Sequence, residues 1–266
     1  MHSSQTIRGE PVGFCIYCGR TGVDLTDEHI VPYALGGRHI LPECCCSQCQ
    51  EGINKYAEQP LLTRSLLASR VRYGYPSRKN RNRKAFDRNI FRMVDEKTAV
   101  KIHEETPVKG FSGTTIRLAF IEPPRLLSGA PEAPIATDLH VDLDPTEGPI
   151  GILSGHAYGE SIDALARTLI KIGHSYACFC DVPFQHIALD ALAGQDENID
   201  LYVGAPFGET ESYENNERYR LALRIERRFV VVRVTLFANT PLPLVHDVVV
   251  GKHFESWDAA LAALNG

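Results

Sequence analysis

The chain has 266 residues, 44% hydrophobic and 23% charged, which is the profile of a soluble globular protein with room for one large or two modest cores. Its net charge of −5 argues against a protein devoted throughout to nucleic acid, yet residues 1–110 hold 17 Lys/Arg against 12 Asp/Glu while residues 111–266 hold 11 against 21. A chain divided by sign suggests two parts with different partners. With no signal-like start and no long apolar span, the expectation is no membrane and a reducing, cytoplasmic setting.

Residues 1–13 read as a flexible lead-in. Two Cys-x-x-Cys pairs then frame a short stretch: Cys15 with Cys18, and Cys46 with Cys49. Four thiolates at this spacing can close a tetrahedral structural zinc site, and in a reducing compartment that reading outweighs a pair of disulfides. Cys44 and Cys45 precede Cys46 directly, but only Cys46 keeps the two-residue spacing, so the other two are read as strand residues.

Between the pairs lies Asp27-Glu28-His29-Ile30-Val31-Pro32, then Gly36-Gly37. A neutral imidazole, with its ordinary pKa near ~6.5, can take a proton from water at physiological pH. A neighbouring carboxylate can hold a divalent cation on a phosphate. Adjacent strand residues face opposite ways, so Glu28 and His29 serve one phosphate only at a strand end or bulge. The glycines allow the chain to turn back into a strand over His39–Cys45, with a helix following from Cys46 or Ser47. Gln50, Asn54 and Glu58 recur every four residues and share a helical face that could supply further ligands.

This stretch resembles the HNH endonucleases, in the branch reading CxxC, (D/E)HxxPxxxGG, CxxC. The resemblance covers about residues 14–60. It implies a β-hairpin and helix around one divalent metal, with a structural zinc on Cys15, Cys18, Cys46 and Cys49. It also implies His29 as general base, Glu28 as a metal-binding acid, Mg²⁺ or Mn²⁺ as catalytic ion, and DNA as substrate. Two positions depart from the family pattern. The middle asparagine has no counterpart, with His39 the nearest polar residue, and the final His/Asn is Gln50. Asn54 or Glu58 is the alternative for that ligand. The departures keep a second reading open: a zinc-knuckle module that binds nucleic acid without cutting it.

From Arg64 to Arg92 ten Lys/Arg meet one acid, Asp87. A continued helix would expose Arg64, Arg70 and Arg72 before Gly74 and Pro76 break it. A basic loop with Arg78, Lys79, Arg81, Arg83 and Lys84 follows, suited to phosphates. Tyr73, Tyr75 and Phe86 could stack on unpaired bases. Strands are expected at Ile90–Val94, Ala99–Ile102 and Thr114–Ile121. His103 is read as a surface residue, because its H-x-E lacks the downstream P-C-x-x-C of zinc deaminases.

Pro123–Pro134 reads as a linker or long loop, and His140 as an exposed position in a short strand. A helix is expected over Gly159–Cys180, capped by Ser161 and burying Ile162, Leu165, Leu169, Ile172 and Tyr176. Cys178 and Cys180 are read as core residues, and a second helix is expected from Pro183 to Leu192. Three strands follow over Arg218–Glu226, Phe229–Phe237 and Leu242–Val250, the first two antiparallel across a tight connection, then a helix over Ser256–Leu264 that lays Trp257 on the sheet. The fold class is α+β: a zinc-bound ββα-metal module (14–62), a basic helix and connecting strands (63–110), and a mixed α+β domain with antiparallel strands (111–266). That last domain could recognise a target, bind a protein partner, form a homodimer or only support the module.

Overall fold

The computed structural model describes residues 5–76, 115–142, 158–208 and 217–265. The expected strands at Ile90–Val94 and Ala99–Ile102, His103, Phe86 and the basic loop from Arg78 to Lys84 lie outside those residues. Strands β1 (Ile7–Arg8), β2 (Leu25–His29) and β3 (His39–Cys46) form a small sheet in the order β1-β3-β2, with β2 antiparallel to β3. The turn between β2 and β3 needs its glycines. Gly36 sits at φ 81, and a Cβ on Gly37 would lie 1.7 Å from the Val31 carbonyl oxygen, which leaves no room for a side chain.

Helix α1 (Ser47–Ile53) runs on through wider π turns at Asn54–Glu58 and Leu61–Ser65 to α2 (Leu67–Arg72). Strand β4 (Thr115–Phe120) and β5 (Thr137–Asp142) pair antiparallel. The expected linker between them is more ordered than its prolines and glycine suggest. It forms the short helix α3 (Arg125–Ser128), with Leu127 fully buried and Arg125 Nε 2.5 Å from Asp200 Oδ2.

Helix α4 (Tyr158–Phe179) is followed by β6 (Phe184–His186), α5 (Leu189–Ala193), β7 (Val203–Gly204), β8 (Tyr219–Glu226), β9 (Phe229–Leu236), β10 (Leu244–His253) and α6 (Trp257–Asn265). The five strands form one antiparallel sheet in the order β6-β10-β9-β8, with β7 also on β10. The β8–β9 turn places Arg227 and Arg228 at φ 49 and 71, the left-handed pair that two-residue hairpins favour. Several expectations are corrected here. Ser161 lies inside α4 rather than capping it, residues 184–186 are strand and not helix, and Cys180 is exposed. Trp257 does lie on the sheet, its ring 6.1 Å from that of Phe184 in β6, while it stays partly exposed and its indole N–H donates to Asp181 Oδ1 at 2.9 Å.

Residues Thr168 to Ser175 of α4 are all buried, so this stretch is covered on every side and not on one face only. A Cβ on Gly173 would lie 2.9 Å from Val250 Cγ1, which shows how closely the helix lies on β10. Its other side meets the N-terminal module, where His174 Nε2 lies 2.8 Å from the Ile16 carbonyl. One apolar core therefore runs from Ile16, Ile30 and Leu61 through Leu165 and Leu169 to Val232 and Val250. No helix among the described residues is long and apolar enough to cross a membrane.

Candidate active site and zinc centre

The two cysteine knuckles converge. The sulfurs of Cys15, Cys18, Cys46 and Cys49 lie within 4.8 Å of one another, and Cys18 and Cys46 are 3.8 Å apart. Tetrahedral zinc with Zn–S bonds of ~2.3 Å sets its sulfurs ~3.8 Å apart, so the tetrad fits that ion. The first knuckle is closed by the Cys15 N–H on the Arg20 carbonyl and the Gly19 N–H on the Cys15 carbonyl. The second starts where β3 becomes α1. Cys44 and Cys45 are buried, and their thiols donate to the Leu41 and Cys46 carbonyls. They are strand residues, as their spacing suggested.

Beside the zinc centre the β2–β3 ladder breaks. Thr26 faces Cys45, but Glu28 faces Leu41, so β3 takes extra residues through Pro42 and Glu43. Glu43 sits at φ 47, and its N–H lies 3.4 Å from Asp27 Oδ1. Such a bulge re-aims the side chains around it. Asp27, Glu28 and His29 now all border a single cavity of about 500 Å³. Gln50, Asn54 and Glu58 border the same cavity from the helical side. The π turn at Asn54–Glu58 is part of how they do so, since wider turns of this kind shift the phase of a helix and recur at functional sites. The His29 and Tyr33 rings meet edge to face with centroids 6.1 Å apart.

Glu28 and Glu58 are not alone. The Lys171 ammonium, from the middle of α4, is fully buried and lies 2.6 Å from Glu28 Oε1 and 2.9 Å from Glu58 Oε1. It also donates to the His29 and Ile30 carbonyls. Burial works against its charge, but Glu28 and Glu58 outweigh that and hold its pKa above lysine's ordinary value. Burial also lifts the Glu28 carboxyl, with the ammonium opposing. Sequence reading missed Lys171. Its signal was a lone lysine inside Leu169-Ile170-Lys171-Ile172, where a helix covered on all sides must bury the charge against a partner.

Other expected residues fall elsewhere. His39 turns away from the cavity to Tyr219, with its Nδ1 2.6 Å from the phenol oxygen, and burial lowers its pKa. It does not replace the missing asparagine. Arg70, expected on nucleic acid, is buried, and its guanidinium donates to the Ala34, Leu62 and Pro76 carbonyls. Tyr75 is likewise core, its ring 4.9 Å from Phe237. Arg72 stays half-exposed, and its guanidinium lies 5.3 Å from the centre of the Tyr73 ring.

A bulged two-strand hairpin followed by a helix, with four converging cysteines that can hold a zinc ion, defines a ββα module. Residues 15–66 match the family model described as HNH endonuclease, and the cysteine tetrad agrees with that family's zinc-binding branch. Searches among curated proteins and among solved structures return no match. The family match supports a nuclease or nucleic-acid-binding role for the module.

The cavity's donors also suit a hard divalent cation, which takes oxygen ligands. Carboxylates of Asp27, Glu28, Glu51 and Glu58 and the amides of Gln50 and Asn54 border it. The two carboxylates on Lys171 already carry a shared positive charge.

Proposed function

We propose that the module is a metal-dependent HNH-type endonuclease that hydrolyses phosphodiester bonds in DNA. The observation that carries this reading is the convergence of Glu28 and His29, released by the bulge, with Gln50, Asn54 and Glu58 on one cavity. His29 is the general base and takes the proton of the attacking water. Glu28, with Gln50, Asn54 or Glu58, would hold Mg²⁺ or Mn²⁺, which when bound offsets the charge that builds on the phosphate. Asn54 also stands as a catalytic residue beside the phosphate. The cysteine tetrad keeps a structural zinc with no open position. Arg72, together with Arg78, Lys79, Arg81, Arg83 and Lys84, supplies phosphate contacts along the strand.

A positioned base contributes about 10²- to 10⁴-fold. The test is a supercoiled-plasmid assay at low salt with Mg²⁺ or Mn²⁺, run beside His29→Ala. Nicking by the parent and a loss of that size in the variant support the reading. Equal nicking by both removes His29 from the mechanism.

The Lys171 ammonium between Glu28 and Glu58 favours a second reading, a module that binds nucleic acid without cutting it. That reading expects no cleavage with either metal and salt-sensitive binding unchanged by His29→Ala.

A further inference from the structure

A fully buried ammonium is tolerated only where anions and acceptors surround it closely. Lys171 meets that condition with two carboxylates and two carbonyls, all from the N-terminal module or its helix, while the lysine itself comes from α4. Glu28 and Glu58 lie on separate elements, β2 and the π turn, and Lys171 is the group that joins them. Two such carboxylates facing one cavity with no cation between them would repel each other, and would draw in a divalent ion by themselves.

We propose that Lys171 is a tethered counter-cation of the candidate metal site. It pre-neutralises the Glu28–Glu58 pair, so a divalent cation binds weakly alone and firmly only with a phosphodiester anion. The charges decide this. Counting the three groups in mutual contact, and not Asp27 and Glu51 elsewhere on the cavity wall, two carboxylates and one ammonium sum to −1. A divalent cation brings the cluster to +1, and one phosphodiester, at −1, returns it to neutrality. Without the lysine, two carboxylates and the ion are already neutral, and the phosphate adds nothing to the balance. Lys171 is thus a positioning residue that also sets the order of occupancy. This deepens the nuclease reading and rests on it for the identity of the ion's role.

The experiment measures Mn²⁺ affinity calorimetrically on zinc-loaded protein, without and with dimethyl phosphate as a phosphodiester monoanion. The native protein should bind Mn²⁺ more tightly when dimethyl phosphate is present. Lys171→Met, which keeps the volume and removes the charge, should bind Mn²⁺ at least ~10-fold more tightly than the native protein with no help from dimethyl phosphate. Equal or weaker Mn²⁺ binding by a folded Lys171→Met overturns the proposal. Should that variant fail to fold without metal, refolding in Mn²⁺ but not in NaCl supports it, and failure in both counts against it. Glu58→Gln in the native background gives a second arm. It should lose at least ~10-fold in Mn²⁺ affinity, and an unchanged affinity overturns the proposal by itself. A failure of the nuclease reading looks different: these affinities shift as stated while no His29-dependent cleavage is found.

Discussion

Two buried ionic clusters in this protein have the same size and opposite character. In the antiparallel sheet the Asp247 carboxylate is fully buried and accepts from Arg224, from Arg233 and from the Phe207 N–H, with both oxygens engaged at 2.6–3.2 Å. Burial opposes its charge, but the two guanidiniums outweigh it and hold the carboxyl below its ordinary range. In the module one ammonium is shared by two carboxylates, and both carboxylates border a cavity with His29. Asp247 has its acceptor sites filled by fixed protein donors, so it can only hold the sheet together. Glu28 and Glu58 share the Lys171 ammonium and both face open volume, so they retain capacity for a ligand. How far a buried charge is saturated, more than its burial, separates architecture from chemistry here.

A zinc ion held by the four cysteines would be the extreme of saturation, and its loss should give the largest effect. Structural zinc in small modules contributes an apparent ~10–16 kcal/mol of folding free energy. Elemental analysis should find one zinc per chain, and chelation or Cys46→Ser should melt the β2–β3–α1 region in near-UV dichroism before the sheet is lost. Retention of the full native signal after complete zinc removal would show that the core through Ile16 and Leu61 holds the knuckles unaided.

The closed cluster comes next. Asp247→Ala leaves two guanidiniums without their shared anion, a change that costs about 3–5 kcal/mol in such settings. Denaturant unfolding should show that loss, while Mn²⁺ affinity at the cavity stays put. A shift in Mn²⁺ affinity with Asp247→Ala would mean that the two clusters are coupled through α4 and are not separate in the sense drawn above.

A third effect depends on pH. Burial depresses the His174 pKa to about 4, with His186 lowering it further and the Ile16 carbonyl working the other way. A carbonyl only accepts, so His174 is neutral with its proton on Nε2; Tyr17, His186 and Cys178 surround it. The unfolded chain takes up this proton near pH ~6.5 and the folded one only near 4, so stability is lost as pH falls between those values, by roughly 3 kcal/mol in full. His174→Gln, which keeps a donor for Ile16, should flatten the slope of unfolding free energy against pH in that window. An unchanged slope would assign the acid sensitivity to other groups.

The motif end of the molecule was legible because spacing encodes it. Cys15 to Cys49 and Gly36-Gly37 are constraints of geometry, and they can be read without the rest of the chain. The β8–β9 hairpin and α4 were legible from their apolar periodicity and short turn. What sequence could not give is what meets what. Arg70 and Tyr75 look like a basic, aromatic surface in isolation, yet the hairpin and sheet cover them, because nothing in a local pattern says which face a later element will occupy. Lys171 is the same problem in reverse. Its partners lie more than a hundred residues earlier, so the pairing exists only once α4 packs on the module.

The smallest effect isolates solvent as the deciding variable. Arg8 Nη2 lies 2.8 Å from Asp27 Oδ2, as close as Arg233 comes to Asp247. Those two side chains are 56% and 41% exposed, whereas Asp247 is fully buried. In water the same distance is worth only ~0–1 kcal/mol, because solvent screens the pair and both side chains lose rotamer freedom in forming it. Arg8→Ala should therefore move unfolding free energy by no more than ~0.5 kcal/mol, and that small change should vanish in molar salt. A loss comparable to that of Asp247→Ala would show that separation rather than saturation and burial ranks these pairs. It would also remove the ground for treating the open Glu28–Lys171–Glu58 cluster as different in kind.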